Sequence, residues 1–245
     1  MPVFGLIGKN LGHSFSKAWF TAKFEREGSN NHHYINIEIP DLLPLKNKIS
    51  ELQLNGFNVT IPYKEIIIPF LDELSSEAKM IGAVNTVKIK NGKLIGYNTD
   101  YIGFTETIKP LLKPYHTLAL LLGTGGVSKA IAFSLQSLGI EYEYISRKQS
   151  EPAPKNYAQL TFQDIRNATL IINTTPLGSY PAVDEFPDIP YQGIDKQHLL
   201  FDVIYNPAQT EFLKRGALRG AATMNGYPML IRQAEESWKI WKEEK

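Results

Sequence analysis

The sequence predicts an α/β protein made of two successive layered units. Three observations predict it. Strand-like and helix-like stretches alternate from the first residues to the last element. Several strands are short and wholly apolar, residues 117–122 most clearly, as a sheet buried on both faces requires. The alternation falls into two series that meet near Asp100, and alternation of this kind argues for mainly parallel sheets between helical layers.

Taken in order, residues 3–8 read as a strand, 15–27 as a helix ended by Gly28, and 33–39 as a strand. A helix over 42–54 carries Pro44 in its first turn, where proline is tolerated. Residues 56–61 are strand-like and 64–74 helical. Strands over 84–90 and 93–97 flank Asn91-Gly92, a hairpin signal because both turn positions want positive φ. The second series places a helix over 102–112, the strand over 117–122, and a helix over 126–138 capped by Gly139. Strands follow over 141–145, 168–173 and 199–204. Residues 149–155, with two prolines, read as a loop. An amphipathic helix over about 229–242 ends the pattern and packs back on the first unit. The domains are therefore residues 1–100 with 226–245, and residues 101–225.

Composition narrows the classes. A hydrophobic content of 43% in 245 residues suffices for one large core or two modest ones. A net charge of +1 supplies no global field for nucleic acid or an anionic membrane. Cysteine is absent, which excludes disulfides, iron–sulfur clusters and thiol catalysis. His13, His32, His33, His116 and His198 show no metal-ligand spacing, so no metal is expected. The opening residues lack a basic start and are broken by Gly5 and Gly8, unlike a signal peptide. No apolar run approaches the ~20 residues that span a bilayer, so a cytoplasmic protein is expected.

The chemistry begins at a glycine turn. Leu120-Leu121-Leu122 runs straight into Gly123-Thr124-Gly125-Gly126-Val127-Ser128, a strand, a turn and a helix start. Glycines there permit a tight turn and close backbone approach to a pyrophosphate, which the free amides of the helix start then bind. Ser128 takes the third small position. The alternative is an ordinary strand-to-helix turn. The next strand ends at Ser146-Arg147-Lys148, where an NAD site usually places an acid to hold the ribose 2′-hydroxyl. Arg147 and Lys148 suit a 2′-phosphate instead, hence NADP(H); a solvated basic turn is the alternative.

Three polar clusters stand at strand ends in the first unit: Ser14 with Ser16, Thr60 with Lys64, and Asn85 with Asn98-Thr99-Asp100. Ligand sites in open α/β sheets gather at such ends. Each cluster has a plainer explanation. Ser14, Ser16 or Asp100 could cap a following helix, and Lys64 could be a solvated lysine in a first helical turn.

Over nearly its whole length the sequence resembles the shikimate dehydrogenase family. The stretches that carry the resemblance are Ser14-Phe15-Ser16, Asn58-Val59-Thr60-Ile61-Pro62-Tyr63-Lys64, Ile81 to Thr86, and Asn98-Thr99-Asp100. They continue with the glycine turn, Asn173-Thr174-Thr175-Pro176-Leu177-Gly178, Asp202-Val203-Ile204-Tyr205-Asn206-Pro207, and Gly226-Tyr227-Pro228-Met229-Leu230 with Gln233. The resemblance implies an N-terminal α/β substrate domain and a Rossmann-like NADP-binding domain with a cleft between them. It implies NADPH-dependent reduction of 3-dehydroshikimate to shikimate in chorismate and aromatic amino-acid biosynthesis, with a small molecule as partner in a monomer or homodimer. By that resemblance Lys64 and Asp100 form the catalytic pair. Ser14 and Ser16 hold the substrate carboxylate, helped by Tyr205. Thr60, Asn85 and Gln233 bind substrate hydroxyls or order the catalytic groups. Gly123, Thr124, Gly125, Gly126 and Val127 hold the pyrophosphate, Ser146, Arg147 and Lys148 lie at the adenosine end, and Thr174, Val203 and Gly226 flank the nicotinamide or its ribose. The sequence departs from the family at that adenosine end: Ser146-Arg147-Lys148 replaces the usual Asn-Arg-Thr, and a proline-bearing loop stands where the family places a helical turn. A quinate/shikimate dehydrogenase and a non-catalytic ligand-binding relative are the alternatives.

Overall fold

A computed structural model describes every residue except His13, Asn30, Lys148, Ser150, Glu151 and 243–245. Two compact units divide the chain: Met1–Thr99 together with the stretch from Ala234 onward, and Asp100–Gln233. The first boundary falls at Asp100. The return falls at Ala234, inside the last helix, where the sequence reading places it at Gly226.

The first unit contains β1 (Val3–Gly8), α1 (Phe15–Arg26), β2 (His33–Glu38), α2 (Leu45–Glu51), β3 (Leu54–Val59) and α3 (Tyr63–Ile66). It continues with β4 (Glu73–Leu74), α4 (Ser76–Ile81), β5 (Thr86–Lys90) and β6 (Lys93–Tyr97). The sheet order is β2-β1-β3-β5-β6-β4. β1 is parallel to both β2 and β3, while β5 is antiparallel to β3 and β6. β4 is parallel to β6, so this sheet is mixed, with three parallel and two antiparallel pairings. Asn91 and Gly92, both at positive φ, reverse the chain so tightly that β5 and β6 must pair as a hairpin. Ile7, Ile37, Phe57, Val59 and Val87 face α2 and α3 and meet Leu45 and Tyr63 in one core.

The sequence reading of this unit needs three corrections. The helix over 42–54 is confined to Leu45–Glu51, because Pro44 takes the cap position and Gln53, at φ 48, turns the chain into β3. The helix over 64–74 ends at Ile66. Pro69 then sits in a 3₁₀ turn over Ile68–Phe70, and the chain leaves it to add the edge strand β4. α4 carries its own signals, unread in the sequence: Ser75 accepts from the Ala78 amide, and Gly82 closes the helix at φ 70.

The second unit contains α5 (Asp100–Ile108), β7 (Leu118–Leu122), α6 (Gly126–Ser137), β8 (Glu141–Ser146), β9 (Lys155–Asn156) and α7 (Phe162–Asn167). Then come β10 (Leu170–Asn173), β11 (Leu199–Asp202), α8 (Glu211–Leu218), β12 (Ala222–Met224) and the start of α9 (Tyr227–Lys242), whose residues from Ala234 onward belong to the first unit. All neighbouring pairs are parallel, in the order β12-β11-β10-β7-β8-β9. Chain order reverses between β7 and β10, as in a doubly wound dinucleotide fold. Ala119 and Leu121 of β7 face one layer with Phe104, Ile131 and Phe201; Leu120 and Leu122 face the other with Ile165, Leu200 and Phe212. Both faces are buried, which is why β7 reads as an unbroken apolar run. Each such side chain contributes roughly 1.5–3 kcal/mol by leaving water. β9, α7, α8 and β12 are absent from the sequence reading, although Thr161 and Asp164 form a reciprocal capping box at the start of α7. No helix among the described residues is long and apolar enough to cross a membrane.

Candidate active site

In the first unit the expected side chains stand where β1, β3 and the hairpin end. β1 runs out at Gly8 and leads to Ser14, the residue before α1. Ser14 has extended backbone angles suited to capping, yet its side chain makes no cap hydrogen bond. Its Oγ is buried and finds no hydrogen-bond partner among the described residues. A buried hydroxyl left so costs about 1–3 kcal/mol, which an incoming acceptor would relieve. Ser16 lies in the first turn of α1; burial holds the Tyr34 phenol well above its ordinary pKa, and the Ser16 hydroxyl opposes that rise.

Thr60 follows β3 directly, and its amide donates to the Ile7 carbonyl (3.0 Å), which ties the ends of β1 and β3 together. Lys64 lies in α3, one helical turn further on. Its carbonyl accepts from the Val84 amide at 2.7 Å, so α3 is pinned to the segment that enters β5. Asn85 is 3% exposed and held at both ends of its amide: Oδ1 accepts from the Thr99 amide (2.6 Å) and Nδ2 donates to Thr99 Oγ1 (2.9 Å).

In the second unit Asp100 is buried and is itself the first residue of α5. Gln233, on α9, donates from Nε2 to the Leu230 carbonyl (2.9 Å). The glycine turn lies at the reversal point of the sheet, after β7. Gly123 has φ +108, and a Cβ there would lie 2.7 Å from Thr174 Oγ1. Thr174 in turn donates to the Leu122 carbonyl at 2.6 Å, so the ends of β7 and β10 are joined across the reversal. Gly125 precedes α6, and Ser128 is fully buried with its Oγ donating to the Gly125 carbonyl (2.7 Å). The amides of Gly126, Val127 and Ser128 have no acceptor within the helix. Ser146 ends β8 beside Asn156 of β9, and the exposed Arg147 follows it. Lys148, the other basic residue of that turn, lies outside the described residues.

After β11, the Val203 amide donates to the Asn173 carbonyl (3.0 Å), and Tyr205 follows half-buried. A Cβ on Gly226 would overlap the Val203 carbonyl, so this close approach admits only glycine. Sequence reasoning quoted Asp202 without giving it a role. Its carboxylate accepts from Thr210 Oγ1 (2.6 Å), the Ile204 amide (3.1 Å) and Asn173 Nδ2 (3.1 Å). Complete burial outweighs these bonds and pushes its pKa up to about 6. The signal was an acid ending a four-residue apolar strand.

Comparison with known proteins follows the same division. Residues 6–87 match the family model for the shikimate dehydrogenase substrate binding domain. A shikimate dehydrogenase (NADP(+)) of Methanococcus maripaludis strain C7 is 41% identical over 256 residues, covering 97% of this chain and 90% of its own. The crystal structure of a Thermus thermophilus shikimate 5-dehydrogenase in complex with NADP(H) and shikimate is 31% identical, with a TM-score of 0.87 over 99% of this chain and 94% of that one. A quinate dehydrogenase from Corynebacterium glutamicum in complex with NAD is 29% identical, with a TM-score of 0.86 over 98% and 93%. Its doubly wound second unit, its polar strand ends and this near-complete kinship make the chain a member of the shikimate dehydrogenase family.

Proposed function

We infer that this protein catalyses the reversible, NADP-linked reduction of 3-dehydroshikimate to shikimate, on the route to chorismate and the aromatic amino acids. The observation that carries this reading is the 41% identity, over 97% of the chain, to an NADP(+) shikimate dehydrogenase. In this reading the first unit is the substrate-binding domain and the second the NADP-binding domain. The partners are small molecules, and the enzyme works in the cytoplasm as a monomer or homodimer.

The second unit's residues fit NADP(H). Gly123 keeps clear a space that a Cβ would fill, and among the described residues, its chain neighbours aside, no atom lies within 4 Å of a Cβ position on Gly125. Gly123, Thr124, Gly125, Gly126 and Val127 hold the pyrophosphate, with the free amides of α6 aimed at it. Ser146, Arg147 and Lys148 take the adenosine end, where Arg147 pairs with the 2′-phosphate. Thr174, Val203 and Gly226 flank the nicotinamide. When bound, the coenzyme supplies the hydride. Ser14, Ser16 and Tyr205 hold the substrate carboxylate, and the unpartnered Ser14 Oγ supports that role. Thr60, Asn85 and Gln233 bind substrate hydroxyls. Lys64 hands a proton to the carbonyl oxygen during reduction and takes it back in the reverse direction. Asp100 accepts a hydrogen bond from the substrate hydroxyl and so orients it.

Kinship with the quinate dehydrogenase favours a second reading, an enzyme that also tolerates the extra hydroxyl of quinate. One experiment separates the readings. NADPH oxidation is followed with 3-dehydroshikimate and, in parallel, 3-dehydroquinate. Turnover of the first alone supports the main reading, and turnover of both supports the second. Tight binding of shikimate without turnover would mark a ligand-binding relative.

A further inference from the structure

At the ends of β10 and β11 three fully buried polar side chains, Asn173, Asp202 and Thr210, bond to one another, and the proposed function uses none of them. The direction of their bonds follows from one fixed donor. The Thr175 amide can only donate, and it meets Asn173 Oδ1 at 3.0 Å, so Asn173 must turn Nδ2 toward Asp202 (3.1 Å). Asp202 Oδ1 takes that bond together with one from the Ile204 amide (3.1 Å), and Oδ2 takes the Thr210 hydroxyl (2.6 Å). Thr210 precedes α8, and its Oγ1 also accepts from the Leu213 amide (3.4 Å), which ties the start of that helix to the same carboxylate.

These bonds enclose the residues placed at the nicotinamide. Thr174 stands between Asn173 and Thr175, and Asn173 Oδ1 also accepts from Thr175 Oγ1 (2.7 Å), so the turn that carries Thr174 is closed on the Asn173 side chain. Val203 stands between Asp202 and Ile204 and is bracketed in the same way by the bond from the Ile204 amide to Asp202. The Val203 amide donates to the Asn173 carbonyl (3.0 Å), and the Gly226 amide donates to the Ile204 carbonyl (2.9 Å). Thr174, Val203 and Gly226 are thus held by one connected set of hydrogen bonds with the Asp202 carboxylate at its centre. An acid is a costly choice for that centre: burial holds its pKa up at about 6, and an asparagine would fill the same space uncharged. A carboxylate adds acceptance at both oxygens, so donors from three segments of chain are fixed in direction at once.

We propose that Asp202, with Asn173 and Thr210, is a positioning residue for the nicotinamide end of the coenzyme, setting Thr174, Val203 and Gly226 through one buried network. The proposal rests on the assignment of those three residues to the nicotinamide. Adenosine 2′,5′-bisphosphate, which carries the adenosine end of NADPH and no nicotinamide, is the reference ligand for the test. Asp202→Ala should lower kcat/KM for NADPH about ten- to hundredfold, because small displacements of a reacting group are costly. Asp202→Asn, whose oxygen still serves Asn173 and Ile204, should recover most of that loss. Thr210→Val, which exchanges one hydroxyl for a methyl, should lower kcat/KM about three- to tenfold and carries the test if Asp202→Ala does not fold. Every folded variant should keep the parental inhibition constant for the bisphosphate. Variants that only melt earlier, with kcat/KM at the parental value, would overturn the proposal and leave the proposed function standing. An equal loss of affinity for the bisphosphate would do the same. An unchanged kcat/KM for NADPH in Val203→Ala would instead overturn the nicotinamide assignment on which the proposal rests.

Discussion

At the scale of single residues, Lys64 and Arg147 carry the two most different tests. Lys64 sits on a four-residue helix pinned by the Val84 amide, so its removal should leave the fold intact. Lys64→Ala should lower kcat by about 10²–10⁴-fold with little change in KM, because a transferred proton is felt in the transition state. Near-parental turnover would remove Lys64 from the mechanism. Arg147 is exposed at the end of β8, close enough for its charge to favour the Tyr157 phenolate, although burial still lifts that phenol to about 12. Losing one charge-assisted contact to a phosphate, worth roughly 1.5–3 kcal/mol, predicts an NADP efficiency lower by about ten- to hundredfold in Arg147→Ala. NAD efficiency should stay constant, since NAD has no phosphate there. Steady-state kinetics with both coenzymes check this, and parallel losses for the two would make the contact non-specific.

At the scale of elements, three hydrogen bonds to its carboxylate offset the burial of an acid at the end of β11. Asp202 binds Asn173 and Thr210 and so holds the loops that follow two neighbouring strands. Its pKa is raised to about 6 by burial, so the folded state holds its proton more tightly than the unfolded chain does. The associated stability is present below about pH 4 and is lost as pH rises through 6, a difference of about 3 kcal/mol. Urea midpoints between pH 4 and 7 should show that slope, and Asp202→Asn should flatten it; an equal slope in the variant would exonerate Asp202. The same scale shows what the sequence made legible. β1, β6, β7 and α6 were readable because periodicity, Asn91-Gly92 and the glycine turn act locally. β4, β9 and β12 were not, because strands of two or three residues exist only through pairing with distant neighbours. Among site residues, those in motifs were legible one by one. The role of Asp202 was not, since an acid ending an apolar strand gains meaning only when folding sets it against Asn173 and Thr210.

At the scale of the whole molecule, the first unit is discontinuous in sequence. The far end of α9 completes it: Trp241 Nε1 donates to the Val87 carbonyl (3.0 Å), Trp238 Nε1 donates to Glu27 (2.7 Å), and Trp241 stacks on Phe4 at 4.7 Å. The second unit's sheet draws its strands from one unbroken stretch. A chain ending at Gln233 should therefore keep slow hydrogen exchange in β7, β10 and β11 and lose it in β1 to β3. Protection retained in β1 would show that the aromatic closure is dispensable. The order of synthesis then opposes the order of completion. On the ribosome, the part translated first must wait, with Phe4, Phe20 and Phe24 uncovered, until all of the second part has been made. Phe4, Phe20 and Phe24 thus lack their contacts with Trp238 and Trp241 for most of the time that the chain is being elongated.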